Sequence, residues 1–589
     1  MRRAWLYLVF ALIVPVALLV SSTGGAAQPA VTQGTPTAIG SGGAVATVET
    51  LASEAAVEAL RDGANAVDAA VVAAAVLGVT EPFSCGIGGG GFMVIRTSDG
   101  DVTTIDHRET APAAMRPNSF FENGVPLPFN DARYSGRSAG VPGTVRGWDE
   151  ALNRFGTMSL EEALQAGIAV ANDGFVIDET FFSQVQQNLD FFDDVPSTRA
   201  LYLDPDGTPR DVGTMQRNPD LARAYARIGH LGAKGFYRGA IADAMVESVQ
   251  HPPVAPEANH LWRAGLMTMR DVKGYTAPER EPTRVGYRGL DVYSMGPPSS
   301  GGSTDGEALN ILEGFDLDPS DRAEALHFFL EASRFSFADR NAYVADPDYF
   351  DVPLRGLLSD GFAAERRALI DPNHAATSPV PPGDPYPYDT AGEAAATAEQ
   401  SETTTHLSVS DRWGNVVSYT YTIESTGGNG VVVPGWGFLL NNELTDFNFD
   451  SLTHPNRVEG GKRPRSSMSP TIVLDDGQPF LALGSPGGSM IITTVLQILV
   501  DRLDLGATLP QAIAAPRASQ RNTLLTAAEP AFINSPEGQA LVARFGHGFS
   551  TTAEIGAATG IEFLGGGRVL AAAEPQRRGG GSAMVEEPE

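Results

Sequence analysis

The sequence predicts a mixed α/β fold whose β core opens abruptly near residue 404, and three patterns carry that expectation. From Leu51 to Leu77, apolar residues recur at helical spacing. From Thr405 to Glu424, THLSVSDRWGNVVSYTYTIE alternates apolar and polar residues around a turn at Arg412–Asn415, a β-hairpin pattern. PTIVLDDGQPFLALGS repeats the plan with a turn at Asp475–Gln478, and GSPGGSMIITTVLQILVDRL then runs from a glycine-rich loop into a helix.

Taken in order, the chain begins with Arg2 and Arg3, an apolar run from Leu6 to Val20, and a small-residue stretch ending in STGGAAQPA. A secretory signal peptide over residues 1–27, cut after Ala27, is expected from that order, with an uncleaved anchor as its rival. The expected location is therefore exported: periplasm, cell envelope or outside the cell. Residues 28–45 are rich in Gly, Thr, Pro and Ala and read as a flexible leader. Gly63 ends a first helix, and Ala69–Val79 reads as a second, buried one. Ser159 with Glu162, and Asp321 with Glu324, are capping-box pairs. After the second pair, Leu326, Phe329, Leu330 and Phe337 fall at helical spacing and read as core. Residues 372–403 lose apolar periodicity, gain Pro, Ala, Thr and acid, and read as an extended, exposed linker.

Composition narrows the function. Of 589 residues, 71 are acidic and 41 basic, a net charge of −30. Phosphate backbones and anionic membranes would be repelled, so no nucleic-acid partner is expected. A single cysteine, Cys85, excludes an internal disulfide framework and any multi-cysteine metal site. It reads as a small buried hydrophobe, and no disulfide-linked partner is expected.

The chemistry concentrates where the linker meets the β core. Thr403, Thr404 and Thr405 stand in a row there. A threonine hydroxyl needs a base beside it, and a cut that makes the residue N-terminal supplies one, its own α-amine. If the hairpin turn centres on Trp413, Thr404 lies opposite Thr422, with Glu424 two residues on along the same face. Gly487 and Gly488 precede a helix, whose unpaired N–H groups make a suitable oxyanion hole. No Gly-Lys-Ser/Thr follows either that loop or GIGGGG at Gly86–Gly91, so neither is a nucleotide P-loop. The second reads as a backbone crossing without room for side chains. Arg108, the Ser466–Ser467 pair, and Glu443 with Asp446 offer groups for both charged ends of an amino acid. His406 is taken as structural, since no G-x-S-x-G elbow accompanies it.

The segments NAVDAAV, GIGGGGFMVI, DHRETAP, GVPGTVRGW, GPPSSGGST, FADRNAYVADPDY, TTHLSVSDRWGNVVSYTYTIE, NNELTDF, KRPRSSMSPTIV and GSPGG occur in order between about residues 45 and 520. On these the chain resembles the γ-glutamyltranspeptidases, of the N-terminal-nucleophile hydrolase fold. The resemblance implies a four-layer αββα sandwich built from a precursor that cuts itself before Thr404. A large chain, 28–403, and a small catalytic chain, 404–589, would stay together as partners. Thr404 would be the nucleophile, Thr422 its hydrogen-bond partner, and Gly487 and Gly488 the oxyanion hole. Arg108, Ser466 and Ser467 would hold the donor's α-carboxylate; Glu424, Glu443 and Asp446 would hold its α-ammonium group. The donor would be glutathione or a related γ-glutamyl compound, and the acceptor water or an amino acid or peptide. No metal or organic cofactor is implied. Many members carry Asn where Glu424 stands. Only 14 residues, 448–461, separate NNELTDF from KRPRSS, where members with a lid over the donor site are longer. That implies an open site, larger donors such as poly-γ-glutamyl chains, and a bias to hydrolysis. The competing expectations are a cephalosporin or glutaryl acylase of the same fold and an uncut, non-catalytic binding protein.

Overall fold

The computed structural model describes residues 34–389 and 404–589. The expected signal peptide, and residues 390–403 of the expected linker, lie outside them. The fold starts where a leader was expected: Thr37–Thr47 is strand β1, deep in the main sheet. Its Gly- and Ala-rich sequence lacks the β-branched signal of a strand because neighbours close in on it. A Cβ on Gly40 would lie 2.1 Å from the carbonyl oxygen of Glu587.

Helices α1 (Thr50–Arg61) and α2 (Ala66–Thr80) follow, parted at Gly63 as expected. Asn65 and Asp68 form a capping box on α2. The sheet continues with β2 (Gly90–Arg96) and β3 (Val102–Asp106), then helix α3 (Thr144–Phe155). Next come β4 (Glu279–Arg280), β5 (Thr283–Tyr287) and β6 (Leu290–Ser294). Helices α4 (Gly301–Leu312) and α5 (Arg322–Tyr343) complete this part. Asp321 caps α5 by accepting from the Glu324 N–H at 3.2 Å. Leu326, Phe329, Leu330 and Phe337 are buried. Ser159 and Glu162 do form a capping box, though on a helix of only four residues.

After residue 404 come β7 (Thr405–Ser410), β8 (Val416–Thr422), β9 (Thr471–Asp475), β10 (Gln478–Gly484) and helix α6 (Met490–Leu503). Strands β11 (Thr559–Gly565), β12 (Arg568–Ala573) and β13 (Ser582–Pro588) close the chain. Among the described residues the thirteen strands form one sheet, ordered β4-β3-β2-β8-β7-β1-β12-β11-β10-β9-β6-β5, with β13 on β1. The sheet folds over at β1 and β12, so that β7 and β8 face β10 and β11. Helices α1, α2 and α3 cover the outside of one layer, and α4 and α6, backed by α5, cover the other. The result is αββα. Six strands precede residue 404 and seven follow it, so a cut there would leave two interleaved chains.

Residues 372–389 are only partly exposed, and they are tethered. Ala375 N–H reaches the Phe545 carbonyl at 2.8 Å, and Val380 N–H reaches Asn522 Oδ1 at 2.7 Å. Among the described residues, no helix is long and apolar enough to cross a membrane.

Candidate active site

The site is built on the β7–β8 hairpin. Thr405 pairs with Tyr421 and His406 with Thr420, so Thr404 stands opposite Thr422 at the open end. Alternation sorts the side chains. Leu407, Val409, Tyr419 and Tyr421 point into the core beneath α1 and α2. Thr404, His406 and Ser408, with Thr422, Thr420 and Ser418 across from them, occupy the other face, toward β10. There Ser418 Oγ donates to the Leu483 carbonyl at 3.0 Å.

Thr404 is buried, and its Oγ1 donates to Thr422 Oγ1 at 3.4 Å. The end of β10 is brought alongside: a Cβ on Gly484 would lie 2.4 Å from the His406 ring, two residues from Thr404. Gly487 (φ +128°) and Gly488 (φ +58°) then lead into α6, their carbonyls accepting from Met490 and Ile491. His406 bonds Thr420 Oγ1 at 2.8 Å and Ser408 Oγ at 3.1 Å. Burial lowers it to about 3, so it is neutral and holds the hairpin.

GIGGGG is a crossing. A Cβ on Gly89 would lie 1.9 Å from the Thr422 carbonyl oxygen, and one on Gly88 equally close to that of Leu439. Cys85 is buried.

Glu424 departs from the simple strand alternation. Strand β8 ends at Thr422, and Glu424 takes a left-handed φ of +78°, its N–H folding back to Thr422 Oγ1 at 2.8 Å. The turn aims the Glu424 carboxylate at Ser425 and at the Asn442 amide. Burial, with Asp446 nearby, raises Glu424 to about 8.

Arg108, Glu443 and Asp446 meet in one buried cluster. The Arg108 guanidinium bonds both carboxylates directly, and also the carbonyls of Pro464 (3.2 Å) and Arg465 (3.1 Å). Burial holds Glu443 well above the usual carboxylate range even against Arg108. So the group expected to take a carboxylate and two expected to take an ammonium bond one another here. Ser466 and Ser467 are fixed from the other layer. Ser300 donates from N–H (2.8 Å) and Oγ (2.6 Å) to the Ser466 carbonyl, and Arg340 donates to Ser467 Oγ at 2.6 Å.

Sequence reasoning missed Asn442, Ser300, Arg340 and Arg578. Asn442 and Ser300 sit inside the motifs NNELTDF and GPPSSGGST and were findable there. Arg340 likewise sits inside FADRNAYVADPDY; Arg578 reaches the site through tertiary packing, by donating to the Thr404 carbonyl at 2.7 Å.

The sequence model of the family described as Gamma-glutamyltranspeptidase matches residues 52–584. The chain belongs to the γ-glutamyltranspeptidase family. Over 493 residues it is 39% identical to a glutathione hydrolase proenzyme of Bacillus subtilis (strain 168), with 81% of each chain covered. Over 494 residues it is 38% identical to the glutathione hydrolase proenzyme of Escherichia coli (strain K12), covering 81% of this chain and 80% of that one. The crystal structure of a cephalosporin acylase from Bacillus halodurans superposes with a TM-score of 0.82 at 27% identity, over 97% of this chain and 100% of that one. The αββα sandwich is that of the N-terminal-nucleophile hydrolases.

Proposed function

We propose that the chain is the precursor of a γ-glutamyltransferase and glutathione hydrolase that cuts itself before Thr404. The observation that carries this reading is the Thr404 hydroxyl, 3.4 Å from Thr422 Oγ1 at the open end of β7, with the end of β10 at Gly484 packed on the neighbouring His406 ring. After the cut the α-amine of Thr404 takes the hydroxyl proton and Oγ1 attacks the γ-amide carbonyl of the donor. The oxyanion is stabilised by backbone N–H groups at Gly487 and Gly488. The amine leaves with the proton, and a γ-glutamyl ester remains on Thr404. Water resolves it in hydrolysis, and the amine of an amino acid or peptide resolves it in transfer.

Donor recognition falls to the Arg108–Glu443–Asp446 cluster with Glu424, Ser466 and Ser467. An incoming α-carboxylate and α-ammonium exchange partners with groups that already pair with each other, so the charges need no new counter-ions. The short 448–461 segment supports an open site that takes longer γ-glutamyl chains. The N-terminal pattern supports export, checked by sequencing the N-terminus of the mature large chain.

The likeness to a cephalosporin acylase favours a second reading, a glutaryl or cephalosporin acylase. A γ-glutamyl anilide and a glutaryl anilide differ only by the α-amino group. Preference for the γ-glutamyl compound supports the transferase, and equal or better turnover of the glutaryl one supports the acylase.

A further inference from the structure

The β7–β8 ladder begins at Thr405, so Thr404 lies outside it. A cut before Thr404 would make this residue a chain terminus, and termini fray unless something ties them down. Its carbonyl is tied down. Arg578 donates from its guanidinium to that oxygen at 2.7 Å.

The loop that presents Arg578 is shaped to reach it. Arg578 has a left-handed φ of +54°, and Gly579 and Gly580 follow at +79° and +90°. A non-glycine residue there costs on the order of 1–3 kcal/mol and persists only where its surroundings hold it. Here the Glu554 carboxylate accepts from the Arg578 N–H at 3.3 Å. Glu81, at the end of α2, Glu554 and Cys85 face the guanidinium. A cavity of about 580 Å³ flanks it, with Glu49, Glu81 and Asp178 in its walls. Burial pushes Glu81 up to about 8 and Glu49 to about 7, and the same burial lowers Arg578 from its ordinary value. Backbone geometry puts the nitrogen of Thr404 within about 6 Å of the guanidinium. A cation at that range disfavours protonation of an amine.

We propose that Arg578 is a positioning residue for the nucleophile: it pins the carbonyl of Thr404 after the cut and keeps the new α-amine in the neutral, proton-accepting form. No bond to Arg578 forms or breaks. The proposal rests on Thr404 being the nucleophile.

The test compares wild type, Arg578→Gln and Arg578→Lys as full-length precursors allowed to mature. Intact mass reports the cut, and kcat/KM for a γ-glutamyl anilide is followed against pH. Arg578→Gln should mature, lose about 10- to 100-fold in kcat with KM little changed, and move the acid limb of the profile up by about one pH unit. Arg578→Lys should restore the limb. An Arg578→Gln enzyme with wild-type kcat and acid limb overturns the proposal. So does a pair of variants that both stay uncut or both lose about 10 °C of melting temperature, which assigns Arg578 to folding. A wild type left whole at Thr404 instead takes down the underlying reading, before any variant is compared.

Discussion

Thr404 and Thr422 face each other across the open end of one hairpin, hydroxyl to hydroxyl at 3.4 Å. The same Thr422 oxygen accepts from the Glu424 N–H at 2.8 Å, so one side chain ties the nucleophile to the turn that aims Glu424. Thr422→Val removes that link and should lower kcat by about 10- to 100-fold, the cost of one to two buried hydrogen bonds. Thr422→Ser keeps the hydroxyl and should stay within a few-fold of wild type. Steady-state kinetics on matured enzyme decide it; equal losses in both variants would mean that packing, not the hydroxyl, matters.

Burial and the neighbouring Asp446 raise Glu424 to about 8. A protonated carboxyl cannot balance the donor's ammonium group. The KM for a γ-glutamyl donor should therefore fall as pH rises from 6 to 8, while Glu424→Gln should flatten that dependence. A wild-type KM independent of pH would count against this role.

Arg108 bonds two buried acids, Glu443 and Asp446. Arg108→Met strands both, and breaking such a pair from one side costs about 3–5 kcal/mol. Stranded acids are raised above their unfolded values, so the folded state holds more protons than the unfolded one once pH passes the ordinary carboxylate range. Stability is then lost as pH rises. Melting temperature should drop further below wild type at pH 8 than at pH 5; an equal drop at both would exclude this cause.

Gly484 abuts the His406 ring, with 2.4 Å left for a Cβ. Gly484→Ala should cost about 1–3 kcal/mol, as overpacking elsewhere does, and His406→Ala in the same chain should recover part of it. Thermal unfolding of the single and double variants measures this. An unchanged melting temperature in Gly484→Ala would show that the loop gives way instead.

Much of the site was legible because it is local. The hairpin register follows from one turn and a period of two, and it placed Thr404 against Thr422 directly. GIGGGG was readable as a crossing because a run of four glycines carries no side chain to pack or react and leaves only its close backbone approach. Strand β1 was not legible: its Gly and Ala residues answer to close neighbours on both sides, and those neighbours come from the far end of the chain. Glu424 was placed two residues along a strand, but a side-chain-capped turn sets its direction. Arg108 and its carboxylates were named separately. Their mutual pairing depends on a contact across more than three hundred residues, which no spacing encodes.

The most direct measurement is the intact mass of the purified protein beside its Thr404→Ala variant. Wild type should give two fragments, the smaller starting at Thr404, while the variant stays whole. A wild-type chain that remains uncut at Thr404, or a smaller fragment that starts elsewhere, would deny the nucleophile its α-amine and contradict the mechanism.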